Sequence, residues 1–169
     1  MRRLPTCIRI VSESRLDSTR GSRSSFHVTF REFDPGTEEY EQAVRLREGV
    51  LRVPLGLVLT ADELAGDPDC VHLGGFDGES LVAVLLLRPM DEKTIRMRQV
   101  AVLPDFQKRG FGSELVAFAE NVARERGFTK VTAHARGTAV DFYRKAGYTA
   151  TGEEFLEQTI PHRLVTKEL

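Results

Sequence analysis

Tryptophan is missing from this chain, cysteine occurs only twice, and the longest purely aliphatic run is the stretch Leu81 to Leu87. That run falls well short of the ~20 residues a helix needs to cross a bilayer, so no membrane-spanning helix is expected. Cys7 and Cys70 have no metal-ligand spacing and are far too sparse for a disulfide scaffold, which points to a reducing, cytoplasmic setting without a bound metal. A surplus of charge is also lacking. With 24 basic and 25 acidic residues the net charge is −1, which removes the global positive field that drives phosphate-backbone binding and makes nucleic acid an unlooked-for partner.

What is present is ordinary for a folded protein: 41% hydrophobic and 29% charged residues in 169, outside the disordered and fibrous classes and of a size for one domain. Residues 1–25 differ from the remainder, with six Arg and six Ser against Glu13 and Asp17 only. They read as a basic, flexible extension, to which Ile8 to Val11 could add an edge strand, ahead of a single domain over 26–169.

From Phe26 onward the pattern becomes regular. His27 to Phe30 alternates as a strand, and the turn Asp34-Pro35-Gly36 leads to a helix with Tyr40, Val44 and Arg47 on one face and Ala43 and Leu46 beside them. Thr60 to Glu63 reads as a short helix start. Val71 to Phe76 and Leu81 to Arg88 form a hairpin across Asp77-Gly78-Glu79, and Ile95 to Val102 a further strand ended by Pro104. Leu115, Ala119 and Val122 recur at helical spacing between Gly110 and Gly127. Lys130 to Ala135 follows as a strand, Thr138 to Ala146 as a helix, and two strands complete the chain. Hairpins first and β-α-β alternation later predict an α/β (equally α+β) fold with a mixed sheet.

The chemistry concentrates in Gln99 to Ser113, which runs strand, loop, glycines, helix. Such a junction leaves the first amides of the helix without intrahelical partners and turns the positive end of the helix dipole toward an anion. Gly110 and Gly112 let a phosphate approach the backbone, Lys108 and Arg109 add charge, and a diphosphate is the natural ligand. A Walker loop needs Gly-Lys followed by Ser or Thr, and a dinucleotide fingerprint needs a third glycine where this chain has Leu115; neither fits.

The spacing Gln107-x-x-Gly110-x-Gly112 after Ala101-Val102, with Phe142-Tyr143-x-x-x-Gly147-Tyr148 downstream, resembles the GNAT superfamily of acyl-CoA N-acyltransferases. Leu51 to Gly56 and Glu157-x-x-Ile160-Pro161-His162 are similar to its ElaA-like branch. The resemblance implies a mostly antiparallel twisted sheet flanked by helices, with splayed central strands. It implies acetyl-CoA as co-substrate, its pantetheine arm along Val100, Ala101 and Val102 and its pyrophosphate on Gln107, Lys108, Arg109, Gly110, Phe111, Gly112 and Ser113. A small-molecule primary amine is the implied acceptor, with a homodimer left open. Val100 N–H is the implied oxyanion donor and Tyr143 the general acid, because a phenol of pKa ~10 can protonate a thiolate.

The strand before the loop carries no Asp or Glu, so the base is sought elsewhere: Glu157 and His162, with Glu153, Glu154 and His134 as further candidates. Arg136 stands where many members have Asn, and Arg96 and Arg98 favour an acceptor bearing a carboxylate. His27 and His72 read as ordinary strand residues. The missing strand carboxylate also leaves open a non-catalytic module that binds or senses acyl-CoA.

Overall fold

The computed structural model describes residues 12–15 and 26–169. It holds one eight-stranded sheet, in the order β1 (Ser12–Arg15), β2 (His27–Phe33), β3 (Val71–Asp77), β4 (Ser80–Pro89), β5 (Thr94–Val102), β6 (Lys130–Arg136), β8 (Ile160–Glu168), β7 (Thr149–Glu157). Every neighbouring pair is antiparallel except β5 and β6. Ser12–Arg15, which the sequence places in the basic extension, pairs with β2 at the sheet edge. Ile8 to Val11 lies outside the described residues.

Helices cover the two faces unequally. α3 (Phe111–Glu125) and α4 (Val140–Lys145) pack on one, where Leu115, Ala119 and Val122 meet Ile95, Met97, Val131, Ala133 and Val165. α1 (Glu38–Leu51) packs on the other over Phe33, Phe76, Val84 and Leu86, with the short α2 (Ala61–Ala65) beside it. Because β3 and β4 are sandwiched between α1 and α3, both read as continuous apolar runs rather than alternating ones, which explains Leu81 to Leu87. Beyond the reach of α1, the second face of β5, β6 and β8 is open.

The buried stripe of α1 is Ala43, Leu46 and Arg47, whereas Val44 is only half-buried. Thr37 caps this helix by accepting from Tyr40 N–H, and Thr60 with Glu63 forms a capping box on α2. The β3–β4 loop is Gly78-Glu79, with Gly78 at φ +61 as a two-residue hairpin loop requires. Gly127 and Gly147, both left-handed, end α3 and α4 as the spacing predicts.

Candidate active site

β5 and β6 pair from Thr94 to Met97 against Lys130 to Ala133 and then part. The cause is visible in β5. Arg98 stands opposite Leu86 and Ala101 opposite Val84, so Gln99 and Val100 together face Leu85, a bulge in which Gln99 takes φ +51. A non-glycine residue holds this conformation only when its surroundings compensate. Here Gln99 Oε1 accepts from Arg47 at 2.8 Å, and the fully buried Arg47 donates to both oxygens of Asp67, at 3.3 and 2.7 Å. Asp67 also accepts from the Tyr40 hydroxyl at 2.9 Å, and its carbonyl accepts from His72 Nε2, so that imidazole carries its proton there. Burial holds His72 below the usual imidazole range, and it remains neutral. A buried polar network beneath α1 thus pins the point where the sheet opens.

The opening is a cleft of about 720 Å³. Val100 lines it at the bulge, and Tyr143 reaches it from α4 across the gap between the strands. Tyr143 is 6% exposed, its ring packed at 5.2 Å from Phe142 and 5.4 Å from Tyr148. Burial pushes its hydroxyl well above the ordinary phenol range, so the group keeps its proton.

His134, His162 and Glu157 line the opposite wall. His134 Nδ1 lies 3.0 Å from Glu157 Oε2, and His162 Nδ1 lies 2.8 Å from the Ile160 carbonyl. A carbonyl only accepts, so His162 carries its proton on Nδ1 and leaves Nε2 as the acceptor when neutral. Glu153 and Glu154 are not brought to the site. A register shift in β7 between Thr151 and Phe155, with Gly152 at φ +72, turns that segment to solvent.

The rim is tied together from distant parts of the chain. Arg52 donates to Glu63 at 2.6 Å, and Gln158 in the β7–β8 turn donates to the same oxygen at 2.8 Å. Burial alone would raise the Glu63 carboxyl, but the Thr60 N–H, Arg52 and Gln158 together hold it down at about 2. Arg136 donates at 2.8 Å to the Leu51 carbonyl, completing the C-terminal end of α1.

The loop from Pro104 to Gly110 lies at the other end of β5. Gln107 Nε2 donates to the Val102 carbonyl at 2.8 Å, and Arg109 donates to the Asp105 carbonyl and lies over the Phe26 ring. The side chains of both therefore brace the loop instead of extending from it. Lys108 takes φ +58, and Gly110, at φ +92, precedes the first residue of α3. Glu114 N–H makes the first helical bond, to Gly110. Among the described residues, the six N–H groups from Lys108 to Ser113 have no acceptor. A Cβ at Gly112 would meet Phe142 and Val102 at an ordinary 3.6 Å, so no protein neighbour demands that glycine.

The sequence pattern did not indicate the Arg47–Asp67–Gln99 network or the meeting of Arg52, Glu63 and Gln158. The one available signal was an arginine on the apolar stripe of α1, a position that charge occupies only when paired.

Comparison with known proteins gives a match over residues 31–148 to the model of the "Acetyltransferase (GNAT) family". YyaT of Bacillus subtilis is 36% identical over 76 residues, and the chain spans 51% of its length and uses 45% of its own. A second B. subtilis protein, provisionally named an acetyltransferase, is 31% identical over 107 residues, 63% of this chain and 71% of that protein. Three solved structures share the fold. An acyl-CoA N-acyltransferase from Pseudomonas aeruginosa has a TM-score of 0.72 at 24% identity, covering 85% of this chain and 99% of that one. A GNAT family acetyltransferase from Elizabethkingia anophelis with acetyl-CoA bound gives 0.66 at 19%, covering 84% and 98%. Escherichia coli ElaA gives 0.70 at 19%, covering 83% and 99%, so the likeness to ElaA is one of fold.

Proposed function

Because the chain belongs to the GNAT acetyltransferase family, we propose that it transfers an acetyl group from acetyl-CoA to the primary amine of a small molecule, by direct attack with both substrates bound. The observation that carries this is the run of six unengaged N–H groups, Lys108 to Ser113, at the start of α3. Free amides and the positive end of a 15-residue helix suit a pyrophosphate, and Gly112 adds approach that its protein neighbours do not explain. The edge of β5 past Met97, unpaired with β6, suits the amides of a pantetheine arm along Val100, Ala101 and Val102.

A bound thioester supplies an activated acyl carbon and a sulfur leaving group. The residues of this chain do the rest. The acceptor arrives as an ammonium of pKa ~10.4 and must lose a proton before its lone pair can attack. His134, held at Nδ1 by Glu157, takes that proton at Nε2, with His162 as the second imidazole on the same wall. Val100 N–H donates to the carbonyl oxygen as negative charge gathers there. As the C–N bond forms and the C–S bond breaks, Tyr143 gives its proton to the sulfur, and the nitrogen releases its second proton to solvent. Burial holds the phenol protonated until the thiolate forms beside it.

The test is thiol release from acetyl-CoA across a panel of amines. Release above the amine-free background for at least one acceptor supports transfer. Silence across the panel together with tight acetyl-CoA binding contradicts it.

A further inference from the structure

We propose that the acceptor is an amine that also carries an oxyanion, a carboxylate or a phosphate, seated on the guanidinium groups of Arg88, Arg96 and Arg98. The proposal rests on reading the cleft as the acyl-transfer site. All three arginines line it. Arg88 of β4 and Arg96 of β5 stand directly opposite each other in the strand register, and Arg98, two residues along, faces the same side. Like charges placed opposite one another destabilise a sheet, so this pair has a cost within the protein alone.

Nothing among the described residues offsets that cost. None of the three guanidiniums has a hydrogen-bonded or ionic partner among the described residues, and Arg96 Nε is buried without an acceptor. The two carboxylates that line the cleft are engaged elsewhere, Glu63 by Arg52 and Gln158 and Glu157 by His134. Arg136, at the same wall, is spent on the Leu51 carbonyl. The cleft therefore has donors in excess and no internal anion for them, in the planar fork arrangement that grips carboxylate and phosphate oxygens.

The same charges address the step for which β5 has no carboxylate. Positive charge near a bound ammonium disfavours its protonated form. Docking the oxyanion on the arginines brings the ammonium into their field, and its proton passes more easily to an imidazole.

Thiol release from acetyl-CoA should be measured with three matched sets: free α- and ω-amino acids, their amides and methyl esters, and aminoalkyl phosphates. At least one acid or phosphate should exceed its neutral counterpart about tenfold or more in kcat/KM. Arg88→Gln and Arg96→Gln should each raise KM for that acceptor about 10–100-fold, the effect of losing a charged hydrogen bond. Both should leave the KM for acetyl-CoA within about twofold, and Arg96→Lys should recover part of the loss. Thermal midpoints should not fall, because each variant relieves a like-charge pair. Amides or esters as good as the acids, an unchanged KM in both variants, or acetyl-CoA binding without turnover on any set would overturn the inference. Turnover of polycationic or neutral amines alone would overturn it while leaving acyl transfer intact. Failure to bind acetyl-CoA would remove both.

Discussion

Two groups of arginines lie on the same side of the sheet and have opposite fates. Arg47 is fully buried under α1 and charge-paired, its two terminal nitrogens donating to both oxygens of Asp67 and to the amide oxygen of Gln99 while its Nε has no acceptor. Arg88, Arg96 and Arg98, on neighbouring strands but past the edge of α1, have no such partners among the described residues. Taking a charge out of water costs several kcal/mol unless the protein supplies its counter-charge, which it does at Arg47. Where a cleft leaves half-buried arginines unpaired, that counter-charge can come from a ligand. The first group shapes the site through the bulge it holds, and the second is available to what enters.

The comparison breaks most visibly at Arg47. Arg47→Ala leaves Asp67 buried and uncompensated, and should lower the free energy of unfolding in urea by about 3–5 kcal/mol. A stability as little changed as that expected of Arg96→Gln would erase the distinction between Arg47 and the three cleft arginines. Next in size is Tyr143→Phe, which removes the proposed proton donor but keeps the packing against Phe142 and Tyr148. Turnover should fall about 10–100-fold with acetyl-CoA affinity unchanged, read from steady-state kinetics and a binding titration.

Gly110→Ala sharpens the contrast at the loop, where φ is +92. It should cost about 1–2 kcal/mol through left-handed strain, seen as a lower midpoint in urea and weaker acetyl-CoA binding. The smallest effect is acid-dependent and concerns Glu63. Its folded pKa of about 2 lies below the ordinary 4.5, so its contribution is fully present above that ordinary value and is lost as pH falls through about 2. Wild type and Glu63→Gln should therefore differ in thermal midpoint at neutral pH and converge as the solution is acidified. A gap that stays constant down to pH ~2 would show that the rim does not depend on this carboxylate.

Much of the fold was legible because local signals agree with one another. The spacing of Leu115, Ala119 and Val122, the glycines at 127 and 147, and the Asp77-Gly78 turn each specify an element within a few residues. The loop was legible for the same reason, since Gly110 and the residues around it are contiguous. The wall of the cleft beyond the β5 bulge was not. Glu63 and Gln158 are 95 residues apart, and His134 and Glu157 are brought together only by the pairing of β6, β8 and β7. Arg88 and Arg96 become neighbours only through the β4–β5 register. The helix face read as Tyr40, Val44 and Arg47 with Ala43 and Leu46 beside them contains the buried stripe but centres it on Val44, because α1 packs with Ala43 and Leu46 toward β4 and sends Arg47 down to Asp67. Glu153 and Glu154 fail as candidates because a bulge breaks the alternation of β7.

Titration calorimetry with acetyl-CoA tests the central claim, that the amides of Lys108 to Ser113 hold the diphosphate of a thioester carrier. Saturable heat that is weakened by Gly110→Ala, and that ATP or a nicotinamide dinucleotide does not compete away, is the predicted result. No heat from acetyl-CoA or free coenzyme A at millimolar concentration would contradict it.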